Sequence, residues 1–245
     1  MSELAIDIRL KRFPAVGQAS AVTAIKDLRF AVRGGEFVCL LGPSGCGKTT
    51  SLNIIAGLDR DFEGTIALPS AAGRPRPIIG YVFQTPRLLP WRTVEENIAL
   101  VLDPAQARTG IIEDLLKVTG LAEFRYAYPE RLSVGMTRRV ALARAFAVAP
   151  DLLLMDEPFV SLDESTAERL RGLLLEIWQA RPTTVLFVTH DTREAARLAD
   201  RVIVLTASPA SVQAIVAIDT PRRDRSEPEI IDRIRRQILQ PTPST

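Results

Sequence analysis

Apolar and polar residues alternate from Leu4 to Phe13 and from Val22 to Val32, which predicts two half-buried strands. The run Glu36–Leu41 is short and almost wholly apolar, as expected of a strand buried on both faces. A glycine-rich turn follows it, and Lys48–Ala56 reads as a helix. Thr65–Leu68 and Ile78–Phe83 predict further strands. From Thr93 to Ala149 the spacing becomes helical, in TVEENIALVL, IIEDLLKVTG and VALARAFAVA. Strand and helix then alternate again through strand Leu152–Met155, helix Ser165–Gln179, strand Thr184–Val188, helix Arg193–Leu198 and strand Val202–Leu205. The tail, TPRRDRSEPEIIDRIRRQIL, opens as a Pro/Arg-rich linker and ends in a short helix with Ile231, Ile234 and Ile238 on one face. A packed terminal helix with a solvated basic face accounts for it better than a nucleic-acid arm does. The whole pattern is that of an α/β sheet protein carrying an all-helical insertion of roughly 55–60 residues. We place the nucleotide-binding core at residues 1–85 and 150–220, the helical part at 86–149 and the tail at 221–245.

Composition narrows the class. Hydrophobic residues make up 47% and charged residues 24% of the 245, which is globular and far from disorder. No apolar stretch is long enough to cross a membrane, and the N-terminus lacks a signal-peptide core, so the chain is expected in the cytoplasm. Two cysteines, Cys39 and Cys46, make no disulfide framework and agree with a reducing compartment. A net charge of +2 is too small to make nucleic acid the main partner. Lysine occurs only at positions 11, 26, 48 and 117 in a chain rich in arginine, which draws attention to Lys48.

That lysine stands in GPSGCGKTT: Gly42, Pro43, Ser44, Gly45, Cys46, Gly47, Lys48, Thr49 and Thr50. The run fits G-x-x-x-x-G-K-[ST] between a predicted strand and a predicted helix. Such a loop turns backbone N–H groups inward onto phosphate oxygens, and the helix N-terminus adds its positive dipole end. Lys48 would bridge the β- and γ-phosphates of a nucleoside triphosphate, and the Thr49 hydroxyl would ligate Mg²⁺. Cys46, near a helix N-terminus and Lys48, is expected to react with thiol alkylators unless Mg-ATP protects it.

LLLMDEP, Leu152 to Pro158, is an apolar strand ending in two acids. Beside a phosphate loop, Asp156 would hold Mg²⁺ through water, and Glu157 would act as general base toward the attacking water.

With those residues placed, the chain resembles ATP-binding-cassette (ABC) ATPases over nearly its whole length. The resemblance implies a P-loop NTPase (RecA-like) core with an inserted helical subdomain and an antiparallel β subdomain. VFQTP is similar to the family's Q-loop, which gives Gln84 the task of sensing Mg²⁺ and the attacking water. RLSVGMTRRVALARA stands at the signature position, SLD (Ser161–Asp163) at the D-loop, so that Asp163 joins the nucleotide site, and VTHD at the switch. His190, the single histidine, would thereby contact the γ-phosphate and orient Glu157. The signature departs from the usual L-S-G-G-Q, reading Leu132-Ser133-Val134-Gly135-Met136. Ser133 and Gly135 keep the hydroxyl and backbone N–H groups for a γ-phosphate, whereas Val134 costs conformational freedom, more so if that position requires positive φ. Phe13 would stack on adenine where relatives often carry a tyrosine; a strand-end core residue is the other role open to it.

The resemblance further implies ATP and Mg²⁺ as cofactors and a head-to-tail dimer of two copies sandwiching ATP. Separate integral membrane permease subunits would dock near PRLLPW (Pro86–Trp91), unless that run only packs its own loop. A periplasmic or extracellular solute-binding protein would take part indirectly, and the chain would lie peripherally on the cytoplasmic face of the inner membrane. RLLPWRTVEENIAL and PRRDRSEPEI are most similar to the nitrate/sulfonate/taurine/bicarbonate importer group. A non-transport ABC ATPase would bring coiled-coil insertions or a second cassette, which this chain lacks. A low-turnover regulatory subunit would suit Val134 and Met136 but not Glu157 and His190. A small-molecule P-loop kinase would leave the signature, D-loop and switch without a reason.

Overall fold

The computed structural model describes residues 3–15, 17, 20–69 and 76–240; residues 241–245 of the tail lie outside them. In chain order the elements are β1 (Leu4–Phe13), β2 (Val22–Val32), β3 (Phe37–Leu41), α1 (Lys48–Ile55), β4 (Glu63–Ala67), β5 (Ile79–Val82), α2 (Val94–Ala99), α3 (Ile111–Val118) and α4 (Val134–Ala147). There follow β6 (Leu152–Asp156), α5 (Glu164–Ala180), β7 (Thr184–Thr189), α6 (Thr192–Leu198), β8 (Arg201–Leu205), β9 (Val212–Ala217) and α7 (Pro228–Leu239). The chain divides into two compact units, Met1–Pro77 with Thr184–Thr245, and Ile78–Thr183.

The first unit holds two sheets. β1 pairs antiparallel with β2 on one side and β4 on the other, giving the antiparallel sheet β2-β1-β4. In the second, β3 lies parallel between β7 and β8, and β9 closes the edge antiparallel to β8. Every residue of β3 and β7 is buried, so β3 and the Val185–Val188 interior of β7 read in sequence as apolar runs rather than as alternation. β9 was not anticipated. Its apolar residues fall on both faces, its burial pattern is mostly open, and an edge strand of this kind has little sequence signal. The terminal helix forms as expected: Ile231, Ile234 and Ile238 are its buried residues, and it packs against α6.

The second unit pairs β5 with β6 in parallel, and its other elements are helical. A capping box starts α2, with Thr93 Oγ1 accepting from Glu96 N and Glu96 Oε2 accepting from Thr93 N at 2.8 Å. Among the described residues no helix is long and apolar enough to span a membrane. The fold is therefore α/β, with a parallel sheet, an antiparallel β sheet and a helical insertion.

Candidate functional site

In the first unit, Gly42–Thr50 bridges the buried end of β3 and the start of α1. Gly47 caps α1 at φ +112°, and a Cβ there would stand 2.8 Å from the Ala24 carbonyl oxygen. Only glycine suits both the backbone and the space. Lys48 is buried, its Nζ donating to the carbonyls of Gly42 at 2.8 Å and Pro43 at 2.9 Å. The ammonium is thus held at the loop itself. Pro43, Ser44, Gly45 and Thr49 are exposed, as a ligand-facing loop requires.

Cys46 departs from expectation. It is only 1% exposed, with its sulfur packed beneath Gly42. Its place in the loop is that of an interior filler, so an alkylator would reach the thiol only if the loop opened.

The strand partner of the loop carries the histidine. Leu41 is in register with Thr189, and Gly42 N donates to Thr189 O at 3.4 Å, so His190 begins beside the first glycine of the loop. His190 is exposed and plays no part in the core. Thr189 Oγ1 accepts from Asp191 N at 3.0 Å and donates to the buried Glu194 at 2.6 Å, while Asp191 caps α6. Burial pushes the neighbouring Cys39 thiol well above its usual range; the Glu194 charge adds to that and Lys48 opposes it. Phe13 ends β1 opposite Val22 and is 42% exposed, with Lys11 Nζ 4.9 Å from its ring centroid. Phe13 is thus partly exposed at the strand end, with the Lys11 ammonium over one part of its ring.

In the second unit, Asp156 is the buried last residue of β6. Glu157 follows at φ +44°, a left-handed conformation that a glutamate adopts only under constraint. Burial and the Asp156 charge together push the Tyr81 hydroxyl far above its usual range. Gln84 is exposed just beyond β5, and its carbonyl accepts from the guanidinium of Arg138, which also donates to Val160 O at 3.3 Å. Arg144 donates to Pro86 O at 2.7 Å and Arg87 O at 3.0 Å. Two arginines of α4 therefore strap the Gln84–Arg87 backbone in place.

Ser133 caps α4, its oxygen accepting from Met136 N at 3.2 Å and its proton remaining to donate. Val134 is the first residue of α4, does not adopt positive φ and is 59% exposed, so the added cost of a left-handed backbone does not apply to it. Gly135 is needed for space, since a Cβ would meet Thr166 Cγ2 of α5 at 2.6 Å. Asp163 caps α5; hydrogen bonds from the hydroxyls of Ser165 and Thr166, and from Thr166 N, hold its carboxyl well below the usual range. Ser161 nearby stands at φ +63°.

A family profile described as "ABC transporter" matches residues 25–160. The aliphatic sulfonates import ATP-binding protein SsuB of Bacillus cereus is 40% identical over 91% of this chain and 90% of its own length. An uncharacterised ABC transporter ATP-binding protein, MJ0412 of Methanocaldococcus jannaschii, is 46% identical over 89% of this chain and 84% of its own. The chain belongs to the ABC transporter family. Among solved structures, the dimeric ATP-binding cassette MJ0796, in a post-hydrolysis state with ADP and phosphate, superposes with a TM-score of 0.74. It is 30% identical and covers 90% of this chain and all of its own. This cassette is therefore an ATPase with a P-loop NTPase fold.

Several residues of the cassette had escaped sequence reading. Arg138 and Arg144 sit inside the RLSVGMTRRVALARA run, where Ser133 and Gly135 carry the signal, and Glu194 lies three residues beyond VTHD. Asn97 is fully buried in α2; its Oδ1 accepts from Leu89 N, and its Nδ2 donates to the carbonyls of Leu89, Arg92 and Thr93. It shapes the PRLLPW loop. An open groove of about 380 Å³ in the second unit is lined by Tyr81, Phe83, Arg87, Leu100, Val101 and Arg144 among others. Of the PRLLPW run, Arg87 lines it, its guanidinium 4.0 Å over the Phe83 ring.

Proposed function

We propose that the chain is the ATP-hydrolysing subunit of an importer, acting as a pair of copies beneath separate membrane permease subunits on the cytoplasmic face of the inner membrane. The observation that carries this reading is the adjacency of Gly42 and Thr189, which sets the lone histidine at the mouth of the phosphate loop. Similarity to the sulfonate-import relatives over nine-tenths of the chain supports a small sulfonate-type anion as cargo.

In this reading Gly42–Thr50 would cradle the phosphates, with Lys48 releasing loop carbonyls to meet the β- and γ-phosphates. Phe13 would stack on the adenine. Thr49 and Asp156 offer a hydroxyl and a carboxylate, hard oxygen donors suited to Mg²⁺, and Gln84 adds an amide oxygen. Bound there, the ion would neutralise charge on the β- and γ-phosphates. Glu157 would take a proton from water as its oxygen attacks the γ-phosphorus and the bond to the bridging oxygen of ADP breaks. His190 would hydrogen-bond the γ-phosphate and keep Glu157 and the water aligned. Ser133, Gly135 and Asp163 of one copy would complete the site of the other. The groove lined by Phe83 and Arg87 would receive the permease, and its strap to α4 would pass movement to Ser133.

The test is co-purification from native membranes with a tagged Glu157→Gln chain in Mg-ATP. A polytopic membrane protein retained with ATP supports the reading, and exclusively soluble partners would overturn it.

A further inference from the structure

The C-terminal segment has no task in the mechanism above, yet its arginines converge on one element. That element is α6, which begins two residues after His190. At its C-terminal end the Arg225 guanidinium, 4% exposed, donates to Ala196 O at 3.2 Å and Ala199 O at 2.6 Å. The same group also donates to Thr220 O at 2.8 Å and Ile218 O at 3.3 Å. Arg222 Nε donates to Leu198 O at 2.7 Å, and Arg222 pairs with Asp200 at 2.7 Å. Ala196, Leu198 and Ala199 carry carbonyls that no further helical turn satisfies. At the other end, Arg235 of α7 donates from Nε to Thr192 Oγ1 at 3.0 Å and is held by Asp232 at 2.8 Å. A helix of seven residues has little stability of its own, so what it packs against decides where it points.

We infer that the segment from Pro221 to Leu239 is a clamp on both ends of α6, and that Arg235, through Thr192, is a positioning residue for His190. The inference rests on the reading of His190 as the γ-phosphate contact. Upstream of the histidine, Thr189 is fixed to Gly42 and Glu194. Downstream, Thr192 is fixed to Arg235. Between these anchors Asp191 ties the turn to Thr189 Oγ1 at 3.0 Å and caps α6 through Arg193 N at 2.7 Å. Releasing Thr192 loosens the first turn of α6, on which that cap rests, and lets the imidazole drift from its line. Substrate binding through the phosphate loop does not depend on that anchor.

The experiment uses the full chain and Mg-ATP, with steady-state kcat and KM, nucleotide affinity and thermal unfolding measured for each variant. Thr192→Val and Arg235→Ala should each lower kcat by about threefold to tenfold while KM for ATP changes by less than about twofold. The double variant should be no worse than either single one, and Thr192→Ser, which keeps the hydroxyl, should retain the parent rate. His190→Ala sets the floor. Unchanged kcat in Thr192→Val and Arg235→Ala, with turnover lost in His190→Ala, would overturn the clamp and leave the histidine's role standing. Normal turnover in His190→Ala would overturn both. Additive losses, or a kcat that falls in step with melting temperature in Thr192→Ser as well, would assign the effect to general destabilisation and also overturn the inference.

Discussion

Glu157 is held in a conformation that costs free energy, φ +44°, directly after the buried strand that ends in Asp156. In the proposed mechanism that carboxylate would face the attacking water. Glu157→Gln keeps shape and hydrogen bonding but removes the proton acceptor. ATP binding should stay near the parent value, and phosphate release should fall by about 10²–10⁴-fold. Parallel nucleotide titrations and phosphate-release assays separate the two quantities. Val134 tests the opposite direction. It opens α4 in helical conformation with its isopropyl group exposed, where it would crowd an anion approaching the helix start. Val134→Gly should raise kcat by about twofold to fivefold, a small slice of barrier height. It should also lower the melting temperature slightly, because glycine is less favourable in a helix than valine by about 0.3–0.5 kcal/mol. Activity and stability moving in opposite directions would mark the signature as the cause; an unchanged kcat would make the position neutral.

At the scale of elements, α2 and α4 hold the loop after Gln84 through polar groups that are buried rather than solvated. Asn97 satisfies three backbone carbonyls and one N–H in that loop. Asn97→Leu should cost about 2–4 kcal/mol, since each lost bond leaves a desolvated group behind. Urea unfolding should report it, and limited proteolysis should find Pro86–Trp91 newly cleavable. The sequence announces such a residue poorly: an asparagine inside TVEENIALVL looks like one more polar position on a short helix. Arg225 and Arg235 look equally like part of a solvated basic face, whereas one is buried and the other tethers α6. What was legible has a physical reason. β3 and the interior of β7 are buried on both faces and must be apolar, and Gly47 stands where backbone and space admit no side chain. The phosphate loop, the two acids and the histidine show because chemistry fixes residue type at each position. Partners of carbonyl groups are fixed only by geometry, and many sequences can supply a donor.

For the whole molecule the proposed mechanism implies association governed by nucleotide. The chain carries Ser133 and Gly135 at an exposed helix start, where a hydroxyl and N–H groups suit a phosphate held by another copy. A net charge of +2 gives two copies little mutual repulsion, so the bound triphosphate can decide the equilibrium. A ligand shifts an equilibrium only by its differential affinity for the two states, and in the proposed pair the γ-phosphate would supply the difference. Glu157→Gln with Mg-ATP should therefore run as a dimer in light scattering coupled to gel filtration, while the same protein with Mg-ADP runs as a monomer. Adding Ser133→Ala should weaken the dimer without changing ATP affinity of the isolated copy, because that hydroxyl would act only across the pair. Lys48→Ala should lose both. If the ATP-bound Glu157→Gln chain stayed monomeric at concentrations well above its ATP affinity, pairing would need the permease. Turnover by the free chain would then scale linearly with its concentration instead of rising more steeply.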